Sequence, residues 1–217
     1  MGEIILIRHG QANSAAKDEA GYDRLSELGW QQSRWLGDHL RTQPRFDRVL
    51  CGTLRRHLET LDALGNGFGP PAEINPRLNE MDYFNLGRAL TRVNGTELPE
   101  TAEDHARHMA EVMEAWDRAE IRGQESFEAF ETRVTAVFDE AAKPGRRVLC
   151  VTSGGVIGMM MRRLLGLSPR HMAHILLPIL NTSIHRIEIT EFGNFLAGYN
   201  ATPHLDTVER RHARTPY

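Results

Sequence analysis

The chain has 217 residues, of which 41% are hydrophobic, 25% charged and 7% aromatic, values that exclude a disordered, collagen-like or fibrous chain. Lys and Arg number 26 against 29 Asp and Glu, a formal net charge of -3, which excludes the global positive field that recruits nucleic acid or anionic membrane. Any anion site must therefore be local, and at this length one well-buried core is expected, with room for an inserted subregion.

Ile4-Ile5-Leu6-Ile7 reads as a strand buried on both faces, as in a parallel sheet, with Arg8-His9-Gly10 at its carboxyl end. The run, ended at once by Arg8 and His9, is too short for a membrane span or a signal peptide, and two cysteines that suit burial better than a disulfide framework fit a reducing cytoplasm. Ser26 can cap a helix with apolar positions Leu28, Trp35, Leu36 and Leu40, with Pro44 beyond its end. Val49-Leu50-Cys51 reads as a second buried strand, and Leu54, Leu58 and Leu61 recur at helical spacing until Gly65 to Pro71 breaks the pattern.

In the middle third, Ala102, Ala106, Met109, Met113 and Trp116 step by four and three, as do Phe127, Phe130, Val134, Val137 and Ala141, which predicts two amphipathic helices. After the turn Pro144-Gly145, Val148-Leu149-Cys150-Val151 predicts a third buried strand ending at Thr152-Ser153-Gly154-Gly155. The helix that follows, Val156 to Leu165, is apolar nearly all round and closes at Pro169. Ile184 to Ile189 and Phe195 to Tyr199 flank Gly193-Asn194, a hairpin signal. Cys51 and Cys150, the only two cysteines, each lie in an apolar run and read as small buried hydrophobes.

This alternation predicts an α/β three-layer αβα sandwich with a mostly parallel central sheet, ligands binding outside the carboxyl ends of the strands. Three strand-to-helix junctions carry Arg8-His9-Gly10, Gly52 to Arg56 and Thr152 to Gly155, which bring together an imidazole, guanidiniums, hydroxyls and glycines. Arg binds a tetrahedral phosphate bidentately and a neutral imidazole can attack phosphorus, so this set suits phosphoryl transfer through phosphohistidine. The bland alternative is a strand-end Arg pairing a carboxylate.

Ile5-Leu6-Ile7-Arg8-His9-Gly10-Gln11, Leu25-Ser26-Glu27-Leu28-Gly29 and Leu54-Arg55-Arg56-His57-Leu58-Glu59-Thr60, in that order, resemble the blocks of the histidine phosphatase (phosphoglycerate mutase-like) superfamily. Leu78-Asn79-Glu80-Met81-Asp82 resembles the block that supplies its proton donor, and Asn200-Ala201-Thr202-Pro203-His204-Leu205 an ending of some phosphatase members. The resemblance implies that His9 is the nucleophile, that Arg8 and Arg56 (rather than Arg55) bind the phosphoryl oxygens, and that Glu80 protonates the leaving alkoxide and then serves as base for water. Ser153, Gly154 and Gln11 would add phosphate contacts. It implies no metal and no cofactor, a small phosphomonoester as substrate, and a single unit over residues 1–217 with a helical cap over about 87–145. Nucleic-acid and membrane partners are not expected, and the oligomeric state stays open.

Two departures stand out. The family's second core histidine lies in a Ser-His-Gly-Gly-like turn, whereas this chain has Thr152-Ser153-Gly154-Gly155, a form that resembles a subgroup with Ser at that place. Phe84 stands where many phosphatase members have glycine. A weaker oxyanion donor can still support turnover, since losing a good one outright costs ~10²–10³.

A serine hydrolase elbow at Ser153 lacks the preceding glycine, Val151 holding that place. His105 with His108, and His171 with His174, read as solvated helix faces rather than metal sites; Met159, Met160 and Met161 as core filling. His204 reads as a structural hydrogen-bonding residue, and Glu209 to Arg214 as a frayed basic end. The function expected is a metal-independent phosphomonoesterase of the histidine acid phosphatase type. The alternatives are a degenerate phosphate-binding or interaction protein, and a phosphoglycerate mutase, to whose start Gln11-Ala12-Asn13-Ser14 does not correspond.

Overall fold

A computed structural model describes residues 1–16, 18–95, 99 and 101–216. Its strands are β1 (Gly2–Arg8), β2 (Arg48–Cys51), β3 (Glu73–Ile74), β4 (Arg147–Thr152), β5 (Ile184–Thr190) and β6 (Gly193–Ala201). The helices are α1 (Glu19–Tyr22), α2 (Glu27–Arg41), α3 (Arg55–Leu64), α4 (Tyr83–Asn94), α5 (Ala102–Asp117), α6 (Phe127–Ala141), α7 (Gly154–Leu165) and α8 (Pro169–Leu176). The strands form one sheet in the order β3-β2-β4-β1-β5-β6, parallel from β3 through β1 and antiparallel from β1 to β6.

The alternation of side chains along each central strand builds the layers. Ile5 and Ile7 of β1, Val49 and Cys51 of β2 and Leu149 and Val151 of β4 pack with Leu36, Leu40 and Leu64 of α2 and α3. Ile4, Leu6, Leu50, Val148 and Cys150 point to the other face and pack with the larger core supplied by α4 to α8. The two cysteines thus lie on opposite faces of the sheet, and burial pushes both thiols up to about 12. Fully burying each Leu or Ile contributes ~1.5–3 kcal/mol, so both faces hold the sheet.

Sequence and structure part in several places. Pro169 opens a helix instead of closing one: Ser168 caps α8 with Pro169 in its first turn, and α7 ends at Gly166, whose φ of 65° terminates it. The hairpin turns at Glu191-Phe192, because Gly193 pairs with Thr190 inside the ladder. The carboxyl end is not frayed: residues 208–213 form a short 3₁₀ helix, Arg210 lies over the Trp35 ring, and the buried Ala213 gives its carbonyl to Gln32. Helix α4 carries no stripe that the sequence reading singled out. The side chain of Ala102, and residues 96–98 and 100 within the expected cap, lie outside the described residues.

The helical spacing of Leu54, Leu58 and Leu61 does not mark the buried face of α3: Leu61 packs against the core, but Leu58 is exposed and the fully buried residues are Arg56, His57, Thr60 and Leu64. The helix turns a polar face inward because that face meets the carboxyl ends of the central strands.

Candidate active site

The adjacent parallel strands β2, β4 and β1 end together at Cys51, Thr152 and Arg8, with Arg8 paired to Thr152 in register. A cleft of about 320 Å³ opens above them, lined near its floor by Arg8, Arg56, Glu80 and Gly154. Its outer wall comes from Tyr22, Tyr83, Phe84, His105, Met109 and Leu176.

His9 follows β1 directly and is 1% exposed. Its Nδ1 lies 2.8 Å from the carbonyl of Gly10, an acceptor only, so Nδ1 carries the hydrogen and Nε2 the lone pair. Burial, then the charges of Arg56 and Arg8 and the nearby His57, hold its pKa well below the ordinary imidazole value, which keeps the ring neutral. Gly10 donates to Thr60 Oγ1 at 3.0 Å, and a Cβ on Gly10 would meet the Gly29 carbonyl at 2.5 Å, so the strand end is clamped between α2 and α3 at a distance only glycine allows.

Arg8 is buried, and its Nη1 donates to the carbonyls of Ile179 and Pro216. The carboxyl-terminal segment therefore buttresses a guanidinium of the cleft; Thr215 and Asn181 join the same network, with Asn181 N donating to the Thr215 carbonyl. Arg56 is 1% exposed, pairs with Asp23 at 3.1 Å and lies 5.1 Å over the Tyr22 ring. Asp23 also accepts from the backbone N–H groups of Arg55 and Arg56, which caps α3 in place of Leu54. Arg55 itself turns outward to Glu59.

Glu80 sits in the turn before α4. Its carboxyl accepts from the N–H groups of Met81 at 2.9 Å and Gly155 at 3.1 Å. A Cβ on Gly155 would come within 2.1 Å of Glu80 Oε1, so the first turn of α7 admits the carboxyl only as glycine. Burial raises its pKa, outweighing Arg56, these two N–H donors and Arg8. A neutral imidazole, two guanidiniums and a buried carboxyl of raised pKa form a set that can accept a phosphoryl group and protonate what leaves.

The structure thus gathers Arg8, His9, Arg56, Glu80 and Gly154. Gln11 Oε1 accepts from Ser26 Oγ at 2.7 Å at the start of α2. Ser153 is wholly buried, and its Oγ lies 2.6 Å from Nε2 of His57. The sequence reading passed over His57, and the signal was present in its position beside Arg56. Tyr22 and Asp23, from the polar loop after β1, were passed over too, and nothing in their spacing marked them.

The expectation of solvated faces holds for His171 and His174 but not for the other pair. His105 lines the cleft, and His108 is buried with Nδ1 2.9 Å from the Tyr83 hydroxyl. His204 is buried away from the cleft, its Nε2 2.9 Å from Thr182 Oγ1. Among the described residues no three His, Cys, Asp or Glu side chains are grouped so as to hold a metal ion.

Residues 4–202 match the model of the histidine phosphatase superfamily, branch 1. The chain belongs to this superfamily. It is 32% identical over 174 residues, 78% of this chain and 82% of the other, to an adenosylcobalamin/alpha-ribazole phosphatase of Salmonella typhimurium. It is 26% identical over 216 residues, 95% of this chain and 96% of the other, to a probable phosphoglycerate mutase of Yersinia enterocolitica. In fold it resembles a phosphoserine phosphatase from Entamoeba histolytica, at 20% identity and a TM-score of 0.69 over 94% of this chain and all of that one. No helix among the described residues is long and apolar enough to cross a membrane.

Proposed function

We propose that this histidine phosphatase superfamily member is a metal-independent phosphomonoesterase of the acid phosphatase type, working in the cytoplasm on a small phosphorylated metabolite through phosphohistidine at His9. In this reading Arg8, Arg56 and the Gly154 end of α7 hold the phosphoryl oxygens. Nε2 of His9 attacks phosphorus as the ester P–O bond breaks, and Glu80 gives its proton to the departing oxygen. The Glu80 carboxylate then takes a proton from water as that water attacks the phosphohistidine, which releases phosphate and restores both groups.

One observation carries the reading: His9 keeps its Nε2 lone pair, with Nδ1–H spent on Gly10, under the charges of Arg8 and Arg56, which also act on a buried carboxyl, Glu80, whose pKa burial raises. A protein that merely bound phosphate would gain more from a charged imidazole. The relatives named phosphatases support hydrolysis. A mutase must also hold the rest of an anionic substrate, and among the described lining residues the permanent cations are Arg8 and Arg56 alone. The chain falls in the subgroup with Ser at the place of the second core histidine, and the segment over about 87–145 serves as cap, its α5 residues His105 and Met109 facing the substrate.

The test is turnover of 4-nitrophenyl phosphate in the presence of EDTA. His9→Ala is expected to reduce it to background, a loss of at least ~10³-fold; turnover undiminished in His9→Ala would overturn the reading.

A further inference from the structure

Among the described residues, four helices begin with a Ser or Thr whose hydroxyl accepts from an N–H of its own first turn: Ser26, Thr101, Ser126 and Ser168. Ser153 begins α7 with the same extended backbone but makes no such cap. Its Oγ is turned to His57 Nε2, 2.6 Å away, in a helix whose chain neighbour Arg56 lines the cleft. A local rule is broken at a helix that opens on the candidate site, where Gly154 lines the cleft, and such violations mark functional places.

The His57 ring is fully buried, with its centre 5.7 Å from that of His9. Burial and Arg56 hold it neutral, and Nδ1 has no hydrogen-bonding partner. That nitrogen faces Gly52: a Cβ there would meet it at 2.1 Å. A buried N–H without an acceptor is the costlier orphan, so the hydrogen belongs on Nε2, which donates to Ser153 Oγ. The hydroxyl hydrogen of Ser153 is then left to be given away from His57, and receiving an N–H bond makes the hydroxyl a stronger donor.

We infer that His57 is a positioning residue for the candidate phosphoryl site: it donates Nε2–H to Ser153 and thereby aims the serine hydroxyl as a donor to the phosphoryl oxygens at His9, so that two residues from different elements do the work of one imidazole. This inference rests on the phosphohistidine reading, deepens it, and makes Ser153 and His57 a unit contesting a single volume.

The experiment compares kcat and KM for 4-nitrophenyl phosphate in Ser153→Ala, His57→Ala, the double alanine variant, Ser153→His, and the exchange His57→Ala with Ser153→His. Ser153→Ala and His57→Ala are each expected to lower kcat ~10–100-fold with little change in KM, and the double alanine variant to lose no more than either, as residues acting as a unit do. Ser153→His alone is expected to be poor, because two imidazoles then meet where 2.6 Å now separates Nε2 from Oγ. The exchange is expected to recover at least ~10-fold over either of its parents, which a purely structural role for His57 would not produce.

Losses that multiply in the double alanine variant, or an exchange no better than its parents, would overturn the inference. Should His57→Ala fail to fold, Ser153→Ala, which removes one oxygen, decides alone: unchanged kcat in it sinks the proposal. His9→Ala, run alongside, keeps the two readings apart. Turnover surviving there defeats the phosphohistidine reading, whereas its loss beside a Ser153→Ala of full activity defeats only the role of the pair.

Discussion

Around His9 the polar groups are fixed by neighbours: Nδ1 on Gly10, Glu80 on two N–H groups, Arg56 on Asp23, Arg8 on the Ile179 and Pro216 carbonyls. The outer wall of the same cleft is built otherwise, from Tyr22 and Phe84 rings packed edge-on at 6.1 Å, Met109 and Leu176. The floor hangs on strand ends of the central sheet, while the wall comes from α1, α4, α5 and α8. Preorganised charge belongs where a transition state develops it, and apolar area belongs where a leaving group needs only to be held. The contrast separates chemistry from specificity.

The largest effect is expected from Glu80→Gln. With an alkyl phosphate, whose alkoxide must be protonated, the loss is expected to reach ~10²–10⁴-fold, and with 4-nitrophenyl phosphate, whose phenolate leaves unaided, first-step phosphorylation is expected to be far less affected. Equal losses on both substrates in a rapid-quench burst would remove Glu80 from the acid role. The pH profile follows from the same groups. His9, held neutral by burial and Arg56, keeps its lone pair below pH 6.5, so the acid limb lies below that value. Glu80, raised by burial, keeps its proton above the ordinary carboxylate value, and the alkaline limb for alkyl substrates is expected to disappear in Glu80→Gln.

Arg56→Ala is expected to cost ~10²–10³ in kcat/KM on every substrate alike, because it removes phosphoryl stabilisation common to all of them. A loss that depended on the leaving group would place Arg56 in the wall rather than the floor. Phe84→Ala is expected to raise KM for esters of apolar alcohols ~10-fold and to change kcat less, since it removes one face of the wall and nothing at phosphorus. A kcat loss as large as that of Arg56→Ala would erase the distinction between the two regions.

The smallest effect concerns stability. Burial pushes His185 and His204 down to about 3, and holds His9 and His57 below the ordinary value. Below pH 6.5 the unfolded chain takes up protons that the folded chain refuses, so stability is lost as pH falls from 6.5 toward 3. Thermal unfolding followed by circular dichroism is expected to show Tm falling steadily from pH 7 to pH 5; a flat Tm would mean that these imidazoles are not held neutral.

The sheet and the floor were legible in the sequence for a physical reason: strands buried on both faces write continuous apolar runs, and the polar residues that end Ile4–Ile7, Val49–Cys51 and Val148–Val151 must meet once those runs are parallel neighbours. Hydrophobic periodicity located helix α3 but not its inward face, because it assumes that a buried face is apolar, and here Arg56, His57 and Thr60 are buried. The hydrogen bond from Ser26 to Gln11 Oε1 carries no signature in the sequence. The anchoring of the carboxyl end was illegible, since it rests on backbone carbonyls of Ala213 and Pro216 that carry no sequence signature. The wall likewise depends on how helices distant in the chain converge.

The most direct measurement is the identity of the phosphorylated residue. After rapid quench of the enzyme with a ³²P-labelled monoester, the account predicts an acid-labile, alkali-stable label on the peptide that contains His9. Label on the Ser153 peptide, or release of product with no label on the protein at any time, would contradict it.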